Sequence, residues 1–134
     1  MLKTYEGSCH CGAIRYEADI DLSNGTGRCN CTFCLKARAW ATFVKPGAFR
    51  LAAGSGSGVP YHKHPEAPVK YHCDRCGVHT HSIGDADYMG GPFVCVFVNT
   101  LDNVSPEELL SGPIRFSDGL HNDWMHPPAQ TRHL

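Results

Sequence analysis

The sequence predicts an all-β fold with short helical segments, held together by metal. Three observations carry this. Apolar residues alternate or cluster in short runs, glycine and proline (14 and 9 of 134 residues) interrupt the chain throughout, and eight cysteines fall mostly into groups with metal-ligand spacing.

In chain order, "AIRYEAD" sets Ile14, Tyr16 and Ala18 against Arg15, Glu17 and Asp19, the period of a strand with one buried face. "ATFVK" and "AFRLAAG" flank a Pro46-Gly47 turn and read as neighbouring strands. The stretch "GSGSGVPYHKHPEAP", from Gly54 to Pro68, reads as a surface loop that can border a pocket. "VKYHC" is a strand leading into the last cysteine pair, and "PFVCVFVNTLD" is apolar without alternation, as in a strand buried on both faces. Helical signals are few. "TFCLKARAW" contains no proline or glycine, and "SPEELLSG" offers Ser105 as N-cap, Pro106 in the first helical position, acidic residues in the first turn and Gly112 as a stop. The polar, histidine-rich tail from Asp118 onward reads as mobile at its end.

The length fits a single domain over residues 1–134, able to bury roughly two thirds of its unfolded surface. A formal net charge of −1 and the lack of a strongly basic segment give no electrostatic case for nucleic acid or an anionic membrane. "MLKTYEGSCH" lacks an apolar signal core, and the longest apolar run, "FVCVFV", is too short to span a bilayer. A soluble cytoplasmic protein is therefore expected, and in that reducing compartment metal ligation explains the cysteines better than disulfides do.

The cysteines divide into Cys9-His10-Cys11, then Cys29, Cys31 and Cys34, then Cys73 and Cys76, with Cys95 alone. Gly12 and Gly77 follow the first and third groups, as where a chain turns beneath a metal and needs positive φ. This pairs Cys9 and Cys11 with Cys73 and Cys76 in a closed four-thiolate zinc site. A division joining Cys9 and Cys11 to Cys29 and Cys31 stays open, although the glycines disfavour it. The remaining triple can bind a second zinc and leave one position for water or substrate, the mark of a catalytic zinc. A substrate thiol entering there would lose its proton and become nucleophilic. Alternatively a histidine such as His62, His64, His72, His79 or His81 closes that site and makes both metals structural. Cys95 reads as core packing, His10 as pointing outward, and His121, His126 and His133 as solvated.

Taken together, "CHCGAIRYEA", "CNCTFCLK" and "CDRCG", with the later "VNTLD" and "HNDW", resemble the glutathione-dependent formaldehyde-activating enzyme family, also called the centromere protein V/GFA domain. The resemblance spans about residues 5–125. It implies a small Mss4-like, or β-tent, architecture with two zinc ions per chain: a structural zinc on Cys9, Cys11, Cys73 and Cys76, and a catalytic zinc on Cys29, Cys31 and Cys34. The implied activity condenses glutathione with formaldehyde to S-hydroxymethylglutathione, a carbon-sulfur lyase reaction in reverse. Lys36 and Arg38, the cations nearest the triple, are candidates to hold the carboxylates of glutathione, against their plainer reading as solvated helix charges. The competing function is a non-catalytic zinc-stabilised protein-interaction module. The sequence leaves the oligomeric state open.

Overall fold

A computed structural model describes all residues 1–134 as two open sheets with two short α-helices. The smaller sheet has the order β1 (Lys3–Ser8), β2 (Arg15–Ile20), β5 (Phe49–Leu51) and is antiparallel. The larger sheet also takes in β3 (Thr26–Cys29), β4 (Ala41–Val44), β6 (Val59–Tyr61), β7 (Val69–His72), β8 (His79–Ala86), β9 (Gly91–Phe97) and β10 (Ile114–Ser117). Its order is β10-β3-β4-β9-β8-β7-β6. The all-β expectation with short helical segments agrees with this architecture. No helix is long and apolar enough to cross a membrane.

The run "PFVCVFV" becomes β9, and its two faces do different jobs. Val94, Val96 and Val98 join Tyr5, Tyr16, Ala18, Ile20, Leu22 and Leu101 in the main core against the smaller sheet. On the opposite face Phe93, Cys95 and Phe97 cluster with Ala39 and Ala41. With side chains alternating along a strand, continuous apolarity is what a strand covered on both sides requires.

The "SPEELLSG" stretch forms α2 (Pro106–Leu109) behind a full capping box, in which Ser105 accepts from the Glu108 amide and Glu108 accepts from the Ser105 amide. The first helix, α1 (Thr32–Ala37), begins within the cysteine triple and ends at Arg38, which adopts the left-handed conformation with φ 55°.

Three expectations need correction. "ATFVK" and "AFRLAAG" are not paired: β4 lies in the larger sheet and β5 in the smaller, because a 3-10 turn at Pro46–Ala48 redirects the chain and Phe49 stacks on Tyr16 with ring centroids 5.0 Å apart. The Gly54–Pro68 stretch is not all loop, since Val59–Tyr61 adds an exposed edge strand, a place where Pro60 costs no ladder bond inside the sheet. The tail is not free either. Residues after β10 fold back beside the cysteine triple, and the Arg38 guanidinium donates to the His133 carbonyl at 2.5 Å.

Candidate functional site

Two tight loops of the same form carry the first cysteine group. The Cys9 amide donates to Ile14 O at 3.0 Å and the Gly12 amide to Cys9 O at 3.2 Å; likewise Cys73 donates to Val78 O at 3.0 Å and Gly77 to Cys73 O at 2.9 Å. Gly12 and Gly77 have φ of 79° and 77°, so each loop closes through a backbone conformation that strains other residues. The loops face each other and bring Cys9, Cys11, Cys73 and Cys76 together, their sulfurs all within 4.8 Å. Cys9–Cys11 and Cys11–Cys73 sulfur separations are 3.7 and 3.6 Å. A tetrahedral ion with metal-sulfur bonds of about 2.3 Å has sulfur-sulfur edges of roughly 3.8 Å, so this donor set fits zinc.

Backbone amides reach two of these sulfurs directly, and amide donation favours ionisation at Cys73 and Cys76. Ile14 N donates to Cys9 Sγ at 3.2 Å, while Arg75 N and Cys76 N reach Cys73 Sγ at 3.4 and 3.5 Å. The amides of Cys76 and Arg75 lower the pKa of Cys73, and those of Val78 and Cys11 bring Cys76 down to about 6.

Cys29, Cys31 and Cys34 form a separate group with sulfurs likewise within 4.8 Å of one another; Cys9 and Cys11 do not stand with it. Cys29 ends β3, Cys31 caps α1 with its sulfur accepting from the Cys34 amide at 3.3 Å, and the Cys31 amide donates to Cys29 Sγ at 3.3 Å. Donation from Cys29 and Cys34 drives the Cys31 pKa far down, while Cys29 and Cys34 are pushed up, chiefly by their hydrogen bonding within the triple. One thiolate thus forms readily and opposes the next two, an opposition that a bound divalent cation removes. Three soft sulfurs are a good donor set for zinc.

No histidine or carboxylate joins the triple. His81 is buried between the rings of Tyr71 and Phe49, and His79 packs against Phe33 and His72. His62 turns to the His64 carbonyl, and His64 pairs with Glu66. His10 is exposed; His121 and His126 pair with Asp118 and Asp123.

Sequence reasoning missed the residues that wall this centre. Asn30, buried between two of the cysteines, donates to Asp118 Oδ1 at 2.8 Å and accepts from the Leu120 amide at 3.0 Å. These bonds bring Gly119 so close that an added Cβ would lie 2.6 Å from both Cys29 Sγ and the Trp124 ring. Only a residue without a side chain fits. The "HNDW" motif was the available signal, and it supplies Trp124, whose indole N–H is held by Asn122 Oδ1 at 3.1 Å.

Beside Cys29 and Cys34 lies a cavity of about 140 Å³. Its floor is the second face of the larger sheet, where the register aligns Lys70, Ser82, Cys95 and Phe43 in one cross-strand row and Phe97, Ala41 and Gly27 in another. Phe33, Ala39 and Trp124 supply further walls. Cys95 is buried as expected, yet it also forms part of this floor.

A wider cleft of about 570 Å³ adjoins the cavity, sharing Phe33 and Lys70 with it and lined also by Lys36, Lys63, Tyr61 and His79. Lys70 Nζ sits 4.7 Å from the Phe33 ring centroid, between the two spaces. None of Lys36, Lys63 and Lys70 has a carboxylate partner. Arg38 is not in this cleft; it lines a third crevice that shares Arg28, Cys29, Cys34 and Ala39 with the cavity and also reaches Leu134. The left-handed end of α1 places it there.

A sequence model described as "Glutathione-dependent formaldehyde-activating enzyme" matches residues 4–112. The chain is also similar to a crystal structure of a Rhodobacter sphaeroides protein, a structural genomics target. The two are 25% identical, the match covers 84% of this chain and 99% of that one, and the TM-score is 0.67.

Proposed function

The chain belongs to the glutathione-dependent formaldehyde-activating enzyme family, and from that premise we propose that it is a zinc-dependent carbon-sulfur lyase-type enzyme joining glutathione, or a similar acidic thiol, to a small aldehyde. The observation that carries this reading is the cysteine triple: three sulfurs with no fourth protein donor, set in the wall of a cavity. A closed site would have its last corner filled. The four-sulfur group supplies all four donors itself and serves to hold β1 and β2 to the loop between β7 and β8.

Zinc held by Cys29, Cys31 and Cys34 would lower the pKa of a thiol ligand and present its sulfur as a thiolate. The chain's own residues do the rest. Lys36 and Lys63 draw the carboxylates of the thiol into the wider cleft and hold them there. Phe33 borders both spaces, so a molecule lying along it has its charged end among the lysines and its sulfur toward the triple. As the carbon-sulfur bond forms, the carbonyl π pair moves onto oxygen, and Lys70 and Arg28 in the cavity wall offset that charge. The proton released by the thiol ends on this oxygen, so the condensation needs no further reagent.

Cys31→Ser tests the assignment. Zinc stoichiometry, thermal stability and the rate of hemithioacetal exchange by NMR are measured together. An enzyme loses one zinc and its acceleration while keeping its melting temperature within a few degrees. A protein-interaction module would have no acceleration to lose, and a purely structural triple would lose stability with its zinc.

A further inference from the structure

The geometry points to a hydrophobic aldehyde of about five to seven carbons, an aryl or short alkyl aldehyde, as the carbonyl substrate of this chain. This inference rests on the function proposed above and concerns the second of its two substrates.

Volume is the first argument. The cavity beside Cys29 and Cys34 measures about 140 Å³. A dry apolar cavity of about 150 Å³ is enough to take benzene, whereas a molecule on the scale of water claims about 30 Å³. Formaldehyde, with two heavy atoms, belongs to the smaller class and would leave most of the space unfilled.

The lining is the second. Phe43, Cys95, Phe97 and Ala41 form an apolar floor because one face of β9 and β4 points into the cavity, and that face is not covered by the smaller sheet. Polar groups enter at both ends of this floor, Lys70 and Ser82 continuing the same cross-strand row on β7 and β8, and Arg28 and Ser117 standing on β3 and β10. A carbonyl directed to Lys70 and Ser82 with its chain over Cys95 and Phe43 satisfies both regions. Each methylene buried there is worth about fourfold in affinity. A hydrated one-carbon aldehyde gains none of this. The chemistry is unchanged: sulfur bonds to the carbonyl carbon, the π pair goes to oxygen, and oxygen takes the thiol proton.

The test uses the zinc-loaded protein with glutathione and compares the acceleration of hemithioacetal exchange for formaldehyde, pentanal and benzaldehyde, each against its own uncatalysed rate. Acceleration of pentanal or benzaldehyde at least tenfold above that of formaldehyde is the expected result. Ala41→Leu, which narrows the floor, should lower that ratio at least tenfold; Ala39→Val narrows the cavity from its other wall if the first variant melts early. Binding of benzyl alcohol, followed by saturation-transfer NMR, reads the cavity without turnover and should be lost in either variant. Acceleration confined to formaldehyde, or a ratio unmoved by both variants, overturns this inference and leaves the proposed function standing. If no aldehyde is accelerated, both fall, whatever benzyl alcohol does.

Discussion

Asn30 grips Asp118 across 88 residues of chain, its side-chain N–H donating to Asp118 Oδ1 at 2.8 Å while its oxygen takes the Leu120 amide. Asn30 is buried, so Asn30→Ala would strand that amide and remove the donation that helps hold Asp118 below its ordinary pKa. A loss of about 1–3 kcal/mol is expected in urea denaturation of the zinc-loaded protein, with faster hydrogen exchange at Leu120.

Gly119→Ala examines the same loop from the other side. An added methyl meets Cys29 Sγ and the Trp124 ring at 2.6 Å, contacts that no methyl can keep. The expected outcome is weaker metal binding at the triple with the four-sulfur group still loaded, read as zinc released by a mild chelator.

Replacing Lys36 and Lys63 together with Met removes unpaired positive charge from the outer cleft and leaves Lys70, which also borders the cavity, in place. The KM for glutathione should rise roughly tenfold, equivalent to about 1.4 kcal/mol, and lose most of its salt dependence. Glutathione diethyl ester should respond far less. Equal effects on both thiols would mean that these lysines do not read carboxylates.

At Gly77 the cost of a side chain is purely conformational, since a Cβ there meets nothing within 4 Å while φ is 77°. Gly77→Ala should cost about 1–2 kcal/mol and Gly77→Asn less, because asparagine visits this region more readily. Thermal melts of the two variants decide it. A chelator strong enough to strip the four-sulfur group should unfold the wild type.

Glu108 provides the pH dependence. Lys3 Nζ at 2.7 Å, the Ser105 amide at 2.9 Å and the Tyr5 hydroxyl at 3.1 Å hold its carboxyl down to about 2 from an ordinary 4.5. A depressed carboxylate pKa contributes stability that is complete above the unfolded value and disappears as pH falls through the folded one. The stability difference between wild type and Glu108→Gln should therefore be constant near neutrality and shrink between about pH 4.5 and 2. A difference that grows in acid would refute this.

What was legible in the sequence was local. Gly12 and Gly77 directly after cysteine pairs signal positive φ, and Ser105 with Glu108 signals a capping box, because each device is contained in a few consecutive residues. The continuous apolarity of β9 announced two buried faces but not what covers them; Cys95 was read as packing, and its place in the cavity floor depends on β4 and β8. Lys36 and Arg38 lie two and four residues past Cys34, yet Lys36 lines the wide cleft while Arg38, left-handed at the end of α1, lines the crevice bordered by Cys29 and Cys34. Asn30 and Gly119 carry no local signal for joining Cys29, and the "HNDW" stretch marks Trp124 without saying what it meets, since that contact is made by distant segments.

β10 pairs in parallel with β3, Ser117 standing opposite Cys29. The ribosome therefore delivers every sulfur of both metal groups, through Cys76, well before it makes the strand and loop that complete the walls around Cys29. Ion capture can begin on the nascent chain, whereas the cavity beside Cys29 is walled in only once translation has passed Trp124.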